Sequence, residues 1–299
     1  MKPEVHAVGL RLCSKHNAMK STILVAGIGL LILCGTGCDK LKSRDALNHG
    51  VQAFKGAKYS EAVDDFKTAV QLSPDEATPR LYLATAYMSQ YIPGAESPEN
   101  LQFAKEAKEE FEKVLEKNPN DSTALASLAS LSYNEAQGMP SLDQKLKKLD
   151  DAKQWYLKLI AADPQNKEGY YSLAVIDFQK WYVAWNKARA DLGMKSEEPG
   201  PLKDKNVKAE LQMQYGATVD DGIKNLQKAL DIDPNYDDAM AYMNLLIRQK
   251  ADLDDTPEQY KADIDTADKW VQKALDTKKA KAAKIAAAAS QGGITEEAK

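Results

Sequence analysis

Five adjacent aspartate pairs punctuate this sequence: Asp64-Asp65, Asp150-Asp151, Asp220-Asp221, Asp237-Asp238 and Asp254-Asp255. Two carboxylates in one site can divide general acid and base work, or hold a hard cation. The run DLDD at 252–255 comes nearest to a calcium loop, but it lacks the central glycine and the closing glutamate. Most pairs fall near expected helix starts or in turns. There an acid meets free N–H groups and the positive end of the helix dipole, so a structural role accounts for them. Other chemistry is scarce. The cysteines are Cys13, Cys34 and Cys38, and beyond residue 38 the only histidine is His49. Zinc sites, cysteine–histidine nucleophiles and serine triads all need more than this. No phosphate-cradling glycine loop is present. The sequence therefore predicts no catalytic residue, no metal and no cofactor.

Cys38 has a different setting. Residues 21–37 read STILVAGIGLLILCGTG, an apolar run preceded by Lys20 and closed by small residues. It is short and glycine-rich for a membrane span, which needs about 20 apolar residues. A basic start, an apolar stretch and a small-residue cleavage site make a secretory signal. The segment also resembles bacterial lipoprotein signals, in which the cysteine after a small residue is lipidated and becomes the new N-terminus. Gly37 and Thr36 suit that pattern, whereas Gly35 stands where the family usually has leucine. The resemblance implies a signal over 1–37, with Met19 as the alternative start, lipidation at Cys38, and a lipidated linker over 38–44. The expected location is the cell envelope, lipid-anchored on the exported face. Asp39, the residue after the cysteine, favours inner-membrane retention in some lineages only. An uncleaved N-terminal anchor helix is the alternative, and it too ties the body to a membrane.

Once Lys2, Arg11, Lys15, Lys20 and Glu4 are removed with that segment, 36 basic and 43 acidic side chains remain, a net charge of −7. An acidic body has no electrostatic reason to bind nucleic acid. With one cysteine left it has no internal disulfide.

The elements that must position any site show as a repeat. Four segments end alike: FKTAVQLSPDEA (66–77), FEKVLEKNPNDS (111–122), YLKLIAADPQNK (156–167) and LQKALDIDPNYD (226–237). Their prolines, Pro74, Pro119, Pro164 and Pro234, are spaced by 45, 45 and 70 residues. A fifth copy, VQKALDTKK (271–279), lacks the proline. A small residue at Ala62, Ala107, Ala152, Gly222 and Ala267 is followed four positions later by a larger apolar residue and seven positions later by another apolar one, so all three share one helix face. The paired first helices carry Gly50, Ala84, Ala129 and Ala174.

In these residues the chain resembles the tetratricopeptide-repeat family. The resemblance implies an all-α, right-handed solenoid of helical hairpins over about 45–279, with five repeats. The family repeat has 34 residues, so a 45-residue period leaves 11 extra, about three helical turns. All the extra sequence falls between the two helices of a repeat, which predicts lengthened helices. The fourth repeat has the largest insertion, 186–210, with residues 193–201 expected to be a mobile loop. The Ala- and Lys-rich tail, 280–299, is expected to extend the last helix and then become disordered beyond Gln291.

The family groove is lined by the first helices. Carried over residue by residue, it implies Thr123, Ser130, Tyr133 and Asn134, then Tyr171, Val175, Phe178 and Gln179, then Arg248 and Gln249. Trp181 and Trp185, four apart, share a face with two readings. Aromatics at helical spacing more often pack on a neighbouring helix; exposed, they would form a binding patch. The implied function is a non-enzymatic protein–protein interaction scaffold, tethered to a membrane, that binds an exported or envelope protein or peptide. The rival is a small-ligand binder or carboxylate-based enzyme with a pocket near the fourth-repeat insertion.

Overall fold

The computed structural model describes residues 38–195 and 197–291; the expected signal at 1–37 and the chain beyond 291 lie outside the described residues. All its regular structure is helical, with no strand among the described residues. The described residues divide into two compact bodies, 38–90 and 91–291.

In the N-terminal body, α1 covers 38–55, α2 Tyr59–Leu72 and α3 Ala77–Met88. Residues 38–44, expected as a linker, are two turns of α1. Within them Ser43 is buried and its hydroxyl donates to the Ala69 carbonyl at 2.8 Å, fixing α1 on α2. Ala62, Phe66, Ala69, Leu83 and Ala84 form the core of this body.

The C-terminal body contains α4 (Pro98–Lys117), α5 (Ser122–Gln137), α6 (Leu142–Ala162), α7 (Lys167–Asp191), α8 (Lys205–Ile232), α9 (Asp237–Lys250) and α10 (Pro257–Gln291). Helices α5 and α6, α7 and α8, and α9 and α10 pack as hairpins. Ser97, Asp121, Ser141, Asn166 and Asp204 cap α4 to α8, each side chain accepting a backbone N–H from the first turn. The lengthened helices expected from the 45-residue period are α4 and α6, and the fourth repeat has the still longer α7 and α8.

One turn recurs four times, at 73–76, 118–121, 163–166 and 233–236. In each, the N–H of the fourth residue donates to the carbonyl of the first, at 3.0–3.1 Å. In each, the first residue closes the preceding helix on the carbonyl four back, at 2.8–3.0 Å. The repeated proline is the second residue, where its missing N–H and fixed φ stop the helix. Seven residues into α3, α5 and α7 stand Ala84, Ala129 and Ala174, all fully buried. Ala107, Ala152 and Ala267 are likewise fully buried on the second helices.

Three of the five aspartate pairs lie inside helices rather than at their starts: 64–65 in α2, 150–151 in α6 and 220–221 in α8. Two of these bridge consecutive helices, Asp150 to Lys180 at 2.6 Å and Asp220 to Lys250 at 3.3 Å. Helix α10 continues through the Ala- and Lys-rich segment as far as Gln291.

The expected mobile loop is pinned. Arg189, at the end of α7, is 1% exposed and pairs with Asp252, which is 3% exposed. The same guanidinium donates to the Lys195 and Glu198 carbonyls, and the Trp185 indole N–H donates to Asp252 at 2.7 Å. Leu202 is buried and its N–H donates to the Asp252 carbonyl. Gly200 sits so close that a Cβ there would lie 1.6 Å from Asp252 Oδ1. The charge pair and the buried Leu202 fix a loop that glycine and proline content suggested would be mobile, although Glu197, Glu198 and Pro199 stay exposed.

Candidate functional site

Helices α7 and α9 carry a row of aromatic rings. It runs from Tyr236, beside the start of α9, to Tyr171 (5.0 Å between ring centres), Tyr242 (5.5 Å) and Phe178 (5.3 Å). It continues to Tyr182 (5.6 Å) and Trp185 (5.7 Å). A clasp fixes one end: Lys167 pairs with Asp233 at 2.6 Å and lies over the Tyr236 ring, while the Tyr236 hydroxyl donates to Glu168.

At that end Tyr133, Tyr156, Tyr171, Ser172, Val175 and Tyr242 line a pocket of about 180 Å³. Gln179 donates to the Tyr133 hydroxyl and ties α7 to α5. Burial, and then the neighbouring Tyr242, push the Tyr133 phenol above its usual pKa; burial dominates for Tyr171, Tyr156 and Tyr242 as well. These phenols therefore stay protonated at neutral pH. They donate and accept hydrogen bonds and supply no base or nucleophile.

At the other end a cleft of about 550 Å³ opens beside Tyr182 and Trp185. Its walls are Leu245, Tyr260 and Ile264, with Arg189 and Asp252 at the base and Glu197 and Glu198 of the insertion at the edge. This is where the rival reading put a pocket. Burial pushes the Asp252 carboxyl up, while the Trp185 N–H and Arg189 act to lower it. Both of those donors reach the same oxygen, Asp252 Oδ2.

Of the residues carried over from the family groove, Tyr133, Tyr171, Phe178 and Gln179 come together, half-buried. Val175 lines the small pocket and is buried, Asn134 and Ser130 are half-buried on α5, and Thr123 is exposed. Arg248 is half-buried and pairs with Asp268 of α10. Gln249, expected on the open groove, is only 7% exposed; it faces the cleft from below. Trp181 and Trp185 are 0% and 6% exposed, so they form core and not a surface patch. Cys38 is exposed, in the first described turn of α1.

Tyr242 and Tyr260 escape the sequence reading, and Tyr156, expected only as a core position of the repeat, also lines the small pocket. Tyr242 is hidden because Asn244 stands seven residues into α9, where the other first helices have alanine. Asn244 is buried and reaches across the crossing, its amide donating to the Ala267 carbonyl at 2.7 Å. Counting from the shared proline turn would have placed Tyr242 correctly.

A solved crystal structure of MamA protein is similar to the chain at a TM-score of 0.50 and 15% identity, covering 81% of this chain and 94% of that one. A thermophilic TPR protein of Thermus thermophilus, TTC0263, matches at a TM-score of 0.39 and 16% identity, covering 69% and 98%. No family model matches the sequence, and no curated relative does. The fold is a tetratricopeptide-type helical repeat. The shared proline turn and the small residues at all but the α9 crossing are its signature in this chain.

Proposed function

We propose that this tetratricopeptide-type chain is a non-enzymatic scaffold, lipid-anchored at Cys38 on the exported side of a membrane, that captures an extended segment of another envelope protein. The observation that carries the binding reading is the part of the aromatic row that reaches solvent, Tyr171, Tyr242, Phe178 and Tyr182. Aromatic rings bury much area while freezing few rotors, and half-exposed phenols add directional hydrogen bonds. An extended peptide laid along α7 would meet rings, the Tyr133 hydroxyl and the Gln179 amide in succession. The anchoring reading rests on the apolar run ending at Gly37-Cys38. No helix among the described residues is long and apolar enough to cross a membrane. Since the chain is already helical at 38, a lipid on Cys38 would have no flexible spacer behind it.

Replacing Tyr133 and Tyr171 together by alanine is expected to abolish partner capture in crosslinking from native membranes, while helicity is kept and melting falls only modestly. A double variant that folds and still captures its partners overturns the binding reading. Cys38→Ala is expected to leave an uncleaved, unlipidated precursor. Mass spectrometry finding an unmodified Cys38 inside an intact wild-type chain overturns the anchor.

A further inference from the structure

Charge pairing leaves the 550 Å³ cleft with an unbalanced character. Its two arginines are spent: Arg189 on Asp252 and on two backbone carbonyls, Arg248 on Asp268. Glu197 and Glu198, both exposed at the edge, have no ion pair among the described residues, although Glu198 accepts the Lys195 backbone N–H at 3.2 Å. Gln249 lines the cleft, is 7% exposed, and has a buried side-chain oxygen with no hydrogen-bond partner. A buried acceptor without a donor is a costly arrangement that a bound donor relieves. An anion would find no free cation here. A plain apolar group would leave the Gln249 oxygen unmet and desolvate two carboxylates.

We infer that the cleft accepts the basic side chain, lysine or arginine, of the segment that lies on the aromatic row. This rests on the binding reading above, because the cleft joins the row at Tyr182 and Trp185. Tyr182, Leu245 and Ile264 would pack the aliphatic stem, as long basic side chains bury their methylenes and keep the charge solvated. Ring faces attract the cation. Glu197 and Glu198 would meet the charged end, and its N–H groups would supply the donor that Gln249 lacks. Specificity then comes from the insertion, the one segment of this body that breaks the 45-residue period.

The test is selection of a random dodecapeptide library, displayed on phage, against the full chain in detergent micelles. Enriched peptides are synthesised with a fluorophore and titrated by anisotropy. We expect a lysine or arginine at a fixed offset from apolar or aromatic residues. Glu197→Gln with Glu198→Gln should weaken these peptides at least tenfold, as should norleucine in place of the peptide's basic residue, and the two losses should not add. Enriched peptides without a basic residue, or peptides indifferent to the glutamine variant but lost on Tyr133→Ala with Tyr171→Ala, overturn the inference and leave the binding reading standing. Peptides that need Glu197 and Glu198 but not the tyrosines support the cleft's preference and overturn the course along the row.

Discussion

The hairpins α5–α6 and α7–α8 start from the same turn and the same small-residue crossing, yet close in different ways. After α5, four residues suffice, and the connection relies on the absence of side chains. A Cβ on Gly138 would lie 2.3 Å from the Gly94 nitrogen and 2.8 Å from its Cα, so two backbones touch there. After α7, residues 192–204 are held instead by large groups: Trp181, Trp185, Met194 and Leu202 in the core, with the Arg189–Asp252 pair at the centre. A short connection is specified by making room, and a long one by supplying partners. Only the second kind leaves a cleft behind.

The largest expected effect tests the partner-held connection. Arg189→Ala leaves Asp252 buried without its cation and should cost about 3–5 kcal/mol. The pair Arg189→Met with Asp252→Leu should cost much less, because it removes both charges. A single variant whose denaturation midpoint barely moves would mean that the loop is held by Leu202 and Met194 alone.

Glycine substitutions sharpen the contrast. Gly138→Val must push apart two backbones and should cost about 1–3 kcal/mol. Gly193 has a φ of 69° and open space around its Cβ position, so Gly193→Ala meets only the left-handed backbone penalty, about 1–2 kcal/mol. If chemical denaturation shows a larger loss for Gly193→Ala than for Gly138→Val, the assignment of space to one connection and backbone angle to the other fails.

The smallest effect lies at Asp254, just after a 3₁₀ turn, Ala251–Leu253, that follows α9. Burial, and then Asp263, raise this carboxyl to about 6, above the ordinary value near 3.9. One of its oxygens is buried without a partner. A raised carboxylate favours the folded state at low pH, and that contribution is lost as pH rises from the unfolded value through 6. Asp254→Asn should therefore raise the melting temperature at pH 7.5 by about 1 °C, since the group is largely solvated, and change nothing near pH 4. A gain at both pH values would point to the unpaired oxygen and not to ionisation.

Much of this was legible in the sequence. Pro74, Pro119, Pro164 and Pro234 are readable because a residue without an N–H can occupy only one place in the turn. Ala107 and Ala152 are readable because a helix crossing admits no larger side chain. The partners of Arg189 were not, because Asp252 stands 63 positions away and nothing local marks the pair. The direction in which Trp181 and Trp185 point was not readable either. Their spacing gives a common face, and only the packed α8 and α9 decide that this face is inward. Residues 38–44 read as a linker from their position behind the signal. Ser43, the residue that contradicts this, looks polar and is buried by one hydrogen bond.

The environment of Trp185 has an optical consequence. Its indole N–H is bound to a carboxylate, a guanidinium lies over its ring at 5.2 Å, and the Tyr182 ring is tilted against it at 5.7 Å, all beside the cleft. Trp181, one turn away on the same helix, is fully buried. The two indoles thus form a matched pair of chromophores, one shielded from the cleft and one at its wall. The difference in emission between the wild type and Trp185→Phe isolates the wall chromophore. Occupancy of the cleft can then be read without any label.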